Sequence, residues 1–353
     1  MIRFDSVDDL YLLQKIIKRN MATKLEVIDD DISIGTYNIL QSYQVFNKKY
    51  ESKKNPTILW IYRWELIKRE LKMYNLDIIC FQEVQNDLFL RDILPFLATL
   101  GYMGYFVPIE PKLKENKLDE YSFFSYNYSG GIATFFKIEK FRIINIKSFD
   151  YFRYAKKKLK ADSRMEDPDF VKKLNSSFAN ITLLLEKLND KKRFHISNVH
   201  IINKPSFDDV KTLMFYFILK YNSNNIKNDP FILCGDFNSL PSSQVYKGIT
   251  TGKISNVFEF DVNKSITPVL PIIKLKTHFT KNMMKSAYFE MFGKEPSYTN
   301  YTEKFKETLD YIFVNKHCQI VAVLEEPNID HKTEIPDEDY PSDHIIQIAI
   351  IRI

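Results

Sequence analysis

Short apolar runs alternate with amphipathic segments along most of the chain. Residues 60–74 and 207–222 repeat apolar side chains at helical spacing, and residues 32–40 alternate between apolar and polar side chains as a half-buried strand does. Six further runs have the length and apolar content of buried strands: DIICFQEV, GGIATFFK, FHISNVHI, PFILCGDF, LDYIFV and HIIQIAII. Strands and helices mixed in this way predict an α/β or α+β layered domain.

The same patterns predict how the chain is divided. Residues 10–20 have the spacing of a short amphipathic helix, so we predict a helical N-terminal appendage over residues 1–29 and one large domain over residues 30–353. Charged stretches without regular spacing cover about 111–128, 151–178 and 261–282. Because they lack the Gly, Ser and Pro content of linkers, we interpret them as irregular surface excursions from that domain.

Composition narrows the class of protein. The chain has 353 residues, 45% of them hydrophobic and 27% charged, which provides a core and argues against extended disorder. Three cysteines without paired spacing predict a reducing compartment, and no segment resembles a signal peptide or a membrane span. We therefore expect a protein of the cytoplasm, with the nucleus left open. The formal charge of +5 suits an anionic ligand without requiring one.

Polar side chains stand where the predicted buried strands end. A carboxylate at such a position costs several kcal/mol unless a cation or hydrogen bonds satisfy it, so a set of them calls for a shared explanation. A divalent-metal site at one rim of a sheet provides it. The residues concerned are Asn38, Glu83, His200, Asp236, Asn238, Asp310, Asp343 and His344.

The types of side chain predict the metal and the chemistry. Carboxylate and amide oxygens favour Mg²⁺, with Mn²⁺ as a substitute, over Zn²⁺, and we expect Glu83, Asn38 and Asp343 to hold the metal. Metal-assisted hydrolysis of a phosphodiester also needs an oriented water and stabilisation of the leaving oxygen. Asp236 is the candidate that orients or deprotonates the water.

Three further residues complete the predicted chemistry. Asn238 would contact the scissile phosphate. His344 would stabilise the charge that develops there, and the neighbouring Asp310 would fix its tautomer and favour its charged form. Each of these short motifs is weak when taken alone.

The ordered motifs TYNIL, FQEV, NVHI, CGDFNSLP, LDYIF and PSDHI resemble the endonuclease/exonuclease/phosphatase superfamily. That resemblance implies a four-layer fold, in which a two-sheet sandwich is flanked by helices. Within the superfamily, GDFNSLPSSQVY, HIINKPSFDDVK, WIYRWELIKREL and MKSAYFEMFGKEPSYTNYTEKFKETLDYIFV resemble the poly(A)-specific deadenylases of the carbon catabolite repressor type. The motifs cover residues 34–350, which is nearly the whole chain.

This resemblance implies an activity and assigns residues to it. It implies a nuclease domain that removes adenylates from the 3′ end of poly(A) in mRNA and releases 5′-AMP, with two Mg²⁺ ions. Glu83 matches the metal-binding position, and His200 matches a residue that contacts phosphate. Pro205 and Phe305 match an adenine-contacting pair, and Asn180 falls where relatives carry an Asn that faces the active site. The matching catalytic set is Asn38, Asp236, Asn238, Asp310 and His344.

Several departures from the family pattern keep alternatives open. Gly130 stands where the family has Asp, and Ile202 and Asn203 replace a His and a Trp. The leucine-rich repeats that dock a companion nuclease are absent from the sequence, so partners in a deadenylase complex stay open. The alternatives are a 2′,5′-oligoadenylate phosphodiesterase, a nocturnin-like phosphatase acting on a dinucleotide phosphate, and a catalytically silent RNA-binding scaffold.

Overall fold

The computed structural model has two sheets packed face to face, with helices on their outer sides. It describes residues 19–42, 56–109, 130–148, 151–160, 163–175, 179–226, 228–253 and 283–353. The predicted fold class, a two-sheet sandwich flanked by helices, is confirmed. The described residues contain no helix long and apolar enough to cross a membrane.

The first sheet has seven strands, and only the pair at its centre is parallel. In spatial order its strands are β1 (Met21–Thr23), β14 (Gln319–Leu324), β15 (Gln347–Arg352), β2 (Ile32–Asn38), β3 (Ile78–Gln85), β5 (Gly130–Lys137) and β4 (Tyr102–Pro108). Strands β2 and β3 form the parallel pair. Because both run in the same direction, their carboxyl ends reach the same rim of the sheet.

The second sheet has six strands and repeats this arrangement. In spatial order they are β10 (Lys285–Ser286), β13 (Asp310–Val314), β9 (Phe231–Asp236), β8 (Arg193–His200), β7 (Ala179–Lys187) and β6 (Phe141–Ser148). Here β8 and β9 are the parallel pair. A separate hairpin of β11 (Asn300–Thr302) and β12 (Phe305–Glu307) leads directly into β13.

Most of the helices cover the outer faces of the sandwich, while the helix that begins at Ala287 contacts strands of both sheets and joins the inter-sheet cluster. The helices are α1 (Trp60–Tyr74), α2 (Asn86–Leu88), α3 (Leu94–Thr99), α4 (Tyr151–Lys158), α5 (Pro168–Leu174), α6 (Asp208–Asn225), α7 (Gln244–Thr251) and α8 (Ala287–Phe292). A π-helical turn, Phe89–Ile93, joins α2 to α3, and 3₁₀ turns form at Pro56–Ile58, Ser163–Glu166 and Pro205–Phe207. Helix α1 ends at Asn75, whose left-handed backbone (φ 45°) is typical of a helix C-terminus.

Three apolar clusters hold these layers together. Between the sheets, branched side chains such as Ile34, Ile196 and Ile232 are fully buried. Two outer clusters seat α6 and α1 against the second and first sheets. Burying each such side chain contributes roughly 1.5–3 kcal/mol, so the inter-sheet layer is a main source of stability.

Most of the elements expected from the sequence are present, with three corrections. The six apolar runs all contribute strands, although HIIQIAII begins its strand only at Gln347. Residues 151–178, expected to be irregular, contain α4 and α5. A few apolar side chains of these helices join the outer cluster of the second sheet, although most of their residues are charged or polar. Residues 21–23 form a strand paired with β14 inside the predicted helical appendage. Residues 1–18, 111–128 and 261–282 lie outside the described residues, and the domain boundary at residue 30 stays a prediction.

Candidate active site

The carboxyl ends of the central strands bring polar side chains from both sheets to one rim. Asp310, the first residue of β13, lies opposite Asp236, the last residue of β9. His200, which ends β8, is in register with Asp236 on the other side. Asn38 ends β2 in the first sheet. These residues are far apart in the sequence, and strand pairing within the second sheet together with the packing of the two sheets makes them neighbours.

Asp236 is at the centre of this group. It is 1% exposed, and its Oδ2 accepts a hydrogen bond from Nδ2 of Asn38 at 3.0 Å, which spans the two sheets. Its Oδ1 accepts from the backbone N–H of Asn238 at 2.8 Å. The Nε2 atoms of His200 and His344 lie 3.7 and 3.8 Å from its Oδ2. A single buried carboxylate thus contacts four of the residues predicted from the sequence.

His344 and Asp310 form a tight pair beside it. Nδ1 of His344 lies 2.7 Å from Oδ2 of Asp310, which also accepts a 2.6 Å hydrogen bond from the hydroxyl of Thr299. Burial opposes the charged imidazole, but the charge and hydrogen bond of Asp310, with the charge of Asp236, outweigh it and raise the pKa of His344 to about 10. His344 is therefore a cation at neutral pH.

The pKa of Asp236 moves in the direction expected of crowded carboxylates. Burial and the nearby charge of Asp310 raise it to about 6, while His344 and His200 oppose the rise. A carboxylate with a raised pKa beside a second carboxylate is favoured in its charged form when a cation binds between them. The electrostatics of the site therefore suit a metal ion or a proton-accepting role.

The donor set fits a divalent cation. Carboxylate oxygens of Asp236 and Asp310 lie within 4.8 Å of each other and of a ring nitrogen of His344, which as a cation would neighbour the metal without binding it. Oδ1 of Asp310 is buried and has no hydrogen-bond partner among the described residues, so its lone pairs are available to a cation. Carboxylate oxygens are ligands for divalent cations in general, so a divalent-metal site fits these residues and the choice of Mg²⁺ stays a prediction.

The three residues predicted to hold the metal occupy different places. Oε1 of Glu83 lies 4.0 Å from Nε2 of His200, and its Oε2 accepts from the backbone N–H of Gln41 at 3.0 Å. Both polar atoms of the Asn38 amide make a hydrogen bond, since its Oδ1 also accepts from the backbone N–H of Leu40, and this oxygen keeps a second lone pair. Asp343 is buried beside His344, and its charge contributes to the raised pKa of that histidine. Their ligand roles stay predictions.

Unusual backbone conformations place two of these side chains. Glu83 and Asn238 have φ values of 56° and 45°, the left-handed region that costs side-chain-bearing residues about 1–3 kcal/mol. Gly235 has φ 140°, and a Cβ there would stand 2.0 Å from the carbonyl oxygen of Val199. Strain concentrated at one rim is typical of a functional site, where the surrounding contacts hold side chains in a required direction.

The predicted phosphate contact, Asn238, is held by groups that sequence reasoning missed. Its Nδ2 donates to the carbonyl of Ile201 at 2.8 Å, and its own carbonyl accepts from the buried ammonium of Lys211. Lys211 lies within the HIINKPSFDDVK motif, so a signal for it was present. Thr299, which holds Asp310, had no such signal, because a threonine before a short strand is common in any chain.

The predicted substrate contacts lie on segments that adjoin strands of the second sheet. Phe305 begins β12 and is 38% exposed, so its ring is open to a ligand and does not belong to the core. Pro205 is exposed at the start of the 3₁₀ turn that follows β8. Asn180 is buried, with Nδ2 2.7 Å from the hydroxyl of Ser197, and pairs with Val199 beside His200. Asn180 thus lies next to the site but has its amide nitrogen engaged.

Curated relatives match nearly the whole chain. A Candida albicans protein named CCR4-Not complex 3′-5′-exoribonuclease subunit Ccr4 is 30% identical over 343 residues, which cover 91% of this chain and 41% of that protein. Human 2′,5′-phosphodiesterase 12 is 26% identical and is matched over 95% of this chain and 54% of its own length. The chain therefore spans about half the length of these two relatives.

Solved structures share the fold. ANGEL2, a 2′,3′-cyclic phosphatase, superposes with a TM-score of 0.73 at 23% identity, covering 96% of this chain and 99% of the other. The human Nocturnin catalytic domain with a bound sulfate anion gives 0.64 at 22% identity, with coverages of 95% and 97%. The Endonuclease/Exonuclease/phosphatase family model matches residues 36–344, which include every residue of the rim described above. The chain belongs to the endonuclease/exonuclease/phosphatase family.

Proposed function

We propose that this chain is a Mg²⁺-dependent 3′ to 5′ exoribonuclease that removes adenylates from poly(A) and releases 5′-AMP. The observation that carries the proposal is the buried cluster of Asp236, Asp310 and His344, in which one carboxylate oxygen has no hydrogen-bond partner among the described residues and one imidazole is held as a cation. Cytoplasmic mRNA decay is the setting that this activity implies. The names of the Ccr4 relatives make deadenylase-complex subunits the partners to test by co-purification.

The residues of the rim divide the chemistry between them. When bound, Mg²⁺ supplies Lewis acidity toward the phosphoryl oxygens. Glu83, Asn38 and Asp343 would hold it. Asp236 accepts the proton of the attacking water, whose oxygen forms the new bond to phosphorus while the bond to the 3′ oxygen of the preceding nucleotide breaks. The shortened RNA keeps a 3′ hydroxyl, and the released nucleotide keeps the phosphate.

The positively charged His344 stabilises the negative charge that builds up on the phosphoryl oxygens. Its hydrogen bond to Asp310 fixes which ring nitrogen faces the substrate, so Nε2 is directed toward Asp236 and the reacting centre. His200 and Asn238 flank the same carboxylate and would contact the non-bridging oxygens. The departing 3′ oxygen gains one proton to become a hydroxyl, and Asp236 returns to solvent the one proton that it took from the attacking water, so the step balances.

We assign the selection of adenine to Phe305 and Pro205, which are both exposed. A flat aromatic ring and a proline provide apolar faces on which an unstacked base can lie, at about 1–3 kcal/mol per base. Phe305 comes from the hairpin that leads into β13, and Pro205 from the turn after β8, so both adjoin strands that carry site residues. Asn180 would support the same subsite from the β7 side.

The test is the shortening of a 5′-labelled RNA that ends in an adenylate tract, beside the same RNA ending in uridylates, with Mg²⁺ or with EDTA. A metal-dependent ladder that stops at the non-adenylate body supports the proposal. Phe305→Ala should reduce the preference for adenylates, while Phe292→Ala, which removes a ring of similar exposure (44%) from α8, should not. Equal shortening of both RNAs by the wild type would refute selection of adenine.

A second phosphoesterase activity has support of its own. Human 2′,5′-phosphodiesterase 12 matches 95% of the chain at an identity close to that of the Ccr4 relatives, and Ile202 and Asn203 depart from the pattern expected of a deadenylase. Incubation with 2′,5′-oligoadenylate and with a nicotinamide dinucleotide phosphate separates the alternatives by their products. Release of inorganic phosphate alone would sink the deadenylase proposal, and poly(A) binding without turnover would favour an RNA-binding scaffold.

A further inference from the structure

A network of buried polar side chains lies between the two sheets, directly beneath Glu83. Its centre is Asn198 in β8, which is completely buried. Nδ2 of Asn198 donates to the carbonyl oxygens of Phe81 at 3.1 Å and Ala133 at 3.0 Å. Its Oδ1 accepts from Nε2 of Gln82 at 2.8 Å. One side chain of the second sheet therefore bonds two neighbouring strands of the first.

The two carbonyls belong to the last regular residue pair before a β-bulge. Phe81 pairs with Ala133, and pairing resumes only at Val84 and Gly131. Two residues of β3, Gln82 and Glu83, therefore face a single residue of β5. The extra residue has to leave the ladder, and Glu83 does so with a φ of 56°. Asn198 thus bonds both strands at the point where the bulge begins.

The network extends to the strand that carries Asn38. Nε2 of Gln82 also donates to the hydroxyl of Thr36 at 3.0 Å, and the carbonyl oxygen of Gln82 accepts from the N–H of Ile39 at 3.0 Å. The bulge at Gln82 and Glu83 is therefore held by Asn198 from the second sheet and by β2, the neighbouring strand of the first sheet. Two of the predicted metal ligands, Asn38 and Glu83, depend on the same set of bonds.

An amide at this depth calls for an explanation, since most of the inter-sheet layer, including Ile34, Ile196 and Ile232, is apolar. A buried amide costs free energy unless every polar atom is bonded, and an apolar side chain would fill the space without that requirement. We propose that Asn198 is a positioning residue, which fixes the bulge of β3 so that the Glu83 carboxylate faces the metal-binding rim. This inference rests on the proposed role of Glu83 as a metal ligand.

The test compares Asn198→Leu with Ile196→Ala, which removes apolar volume from the same face of the same strand without touching the polar network. Binding of Mg²⁺ and Mn²⁺ is measured by titration calorimetry without RNA, and thermal unfolding is measured for both variants. Asn198→Leu should raise the metal dissociation constant by about tenfold or more, the usual effect of losing a group that orients a ligand. Ile196→Ala should lower the melting temperature and leave metal affinity unchanged.

Each outcome supports or overturns the proposed role of Asn198. The inference would be overturned if Asn198→Leu kept wild-type metal affinity. It would also be overturned if both variants lost the same metal affinity at the same loss of melting temperature. A wild type that binds neither ion would overturn both proposals. If the wild type binds metal but leaves poly(A) intact, and Asn198→Leu weakens metal binding, the inference is supported and only the deadenylase proposal is refuted. If Asn198→Leu does not fold, Asn198→Ser carries the same comparison.

Discussion

Replacement of Arg63 by Met should be among the most destabilising single substitutions in this chain. The Arg63 side chain has no exposed surface, although it carries a full charge, and its guanidinium donates at least five hydrogen bonds at 2.8–3.1 Å. The acceptors are the carbonyl oxygens of Ile39, Leu40, Ile58 and Pro341 and the hydroxyl of Ser42. These bonds tie the loop after Asn38 to the loop before Asp343 and His344.

The magnitude follows from what Met leaves behind. Each buried acceptor that loses its donor costs about 1–3 kcal/mol, so five acceptors exceed 5 kcal/mol before any offset. Removing the guanidinium also removes the free energy needed to bury its charge, which offsets part of that loss. We therefore expect the free energy of unfolding to fall by about 3–5 kcal/mol, a large part of the roughly 5–15 kcal/mol typical of a folded domain.

Urea unfolding followed by far-ultraviolet circular dichroism measures this loss. Fluorescence is unsuitable, because the Arg63 guanidinium lies 5.5 Å from the ring of Trp60 and its removal would change the signal of the folded state. Lys72→Met is the control, since it removes an exposed cation from the same helix; its ammonium lies 5.6 Å from the Phe96 ring, so its loss should cost about 1 kcal/mol or less. If Arg63→Met lowered the free energy of unfolding by less than about 1 kcal/mol, the claim that these hydrogen bonds hold the two loops together would be refuted.

Three further changes test other parts of the structure. His344→Ala should reduce turnover at least about 100-fold with little change in substrate KM, because the cation acts on charge that develops during the reaction; a proportional rise in KM would contradict this. Glu70 is half-buried, and its lost hydration, opposed by Arg19 and by a hydrogen bond from Tyr37, raises its pKa to about 7. Since the folded state favours the protonated acid, Glu70 should contribute to the free energy of unfolding below about pH 4.5, and this contribution should be lost as pH rises through about 7. In urea titrations at several pH values, Glu70→Gln should remove this dependence of the unfolding free energy on pH. Gly235→Ala should prevent accumulation of folded protein at 37 °C, as judged by soluble expression and circular dichroism, whereas Gly293→Ala, with open space around its Cβ, should fold.

The sequence pattern was informative where the signal is local. Polar residues at the ends of apolar runs predicted Glu83, Asp236 and Asp310, because strand ends and their side chains are adjacent in the chain. The short strand Met21–Thr23 and the helices within 151–178 were missed, since three residues of strand carry no periodicity and charged helices resemble loops. Local patterns therefore identified the rim but not every element around it.

Contacts between distant residues could not be predicted from one sequence. The bond between Gln82 and Asn198 joins positions 116 residues apart, and it exists because the two sheets face each other at a particular register. Thr299 holds Asp310 in the same way, through a hairpin whose position depends on the rest of the second sheet. The sequence shows neither that Asn198 faces Gln82 nor that Thr299 reaches Asp310, so these contacts could be recognised only once the sheets were placed.

The placement of the site across both sheets links its chemistry to the packing of the core. Each sheet has one parallel pair at its centre, and the 3.0 Å bond from Asn38 to Asp236 joins the ends of those pairs across the gap. A relative shift of the sheets by one ångström would break that bond and separate Glu83 from His200, while most apolar contacts between the sheets would survive by small adjustments. Metal binding should therefore be more sensitive than global stability to substitutions that alter how the sheets are aligned. The polar network around Asn198 and the bond from Asn38 to Asp236 should both restrict this alignment, because hydrogen bonds have a direction and apolar contacts do not.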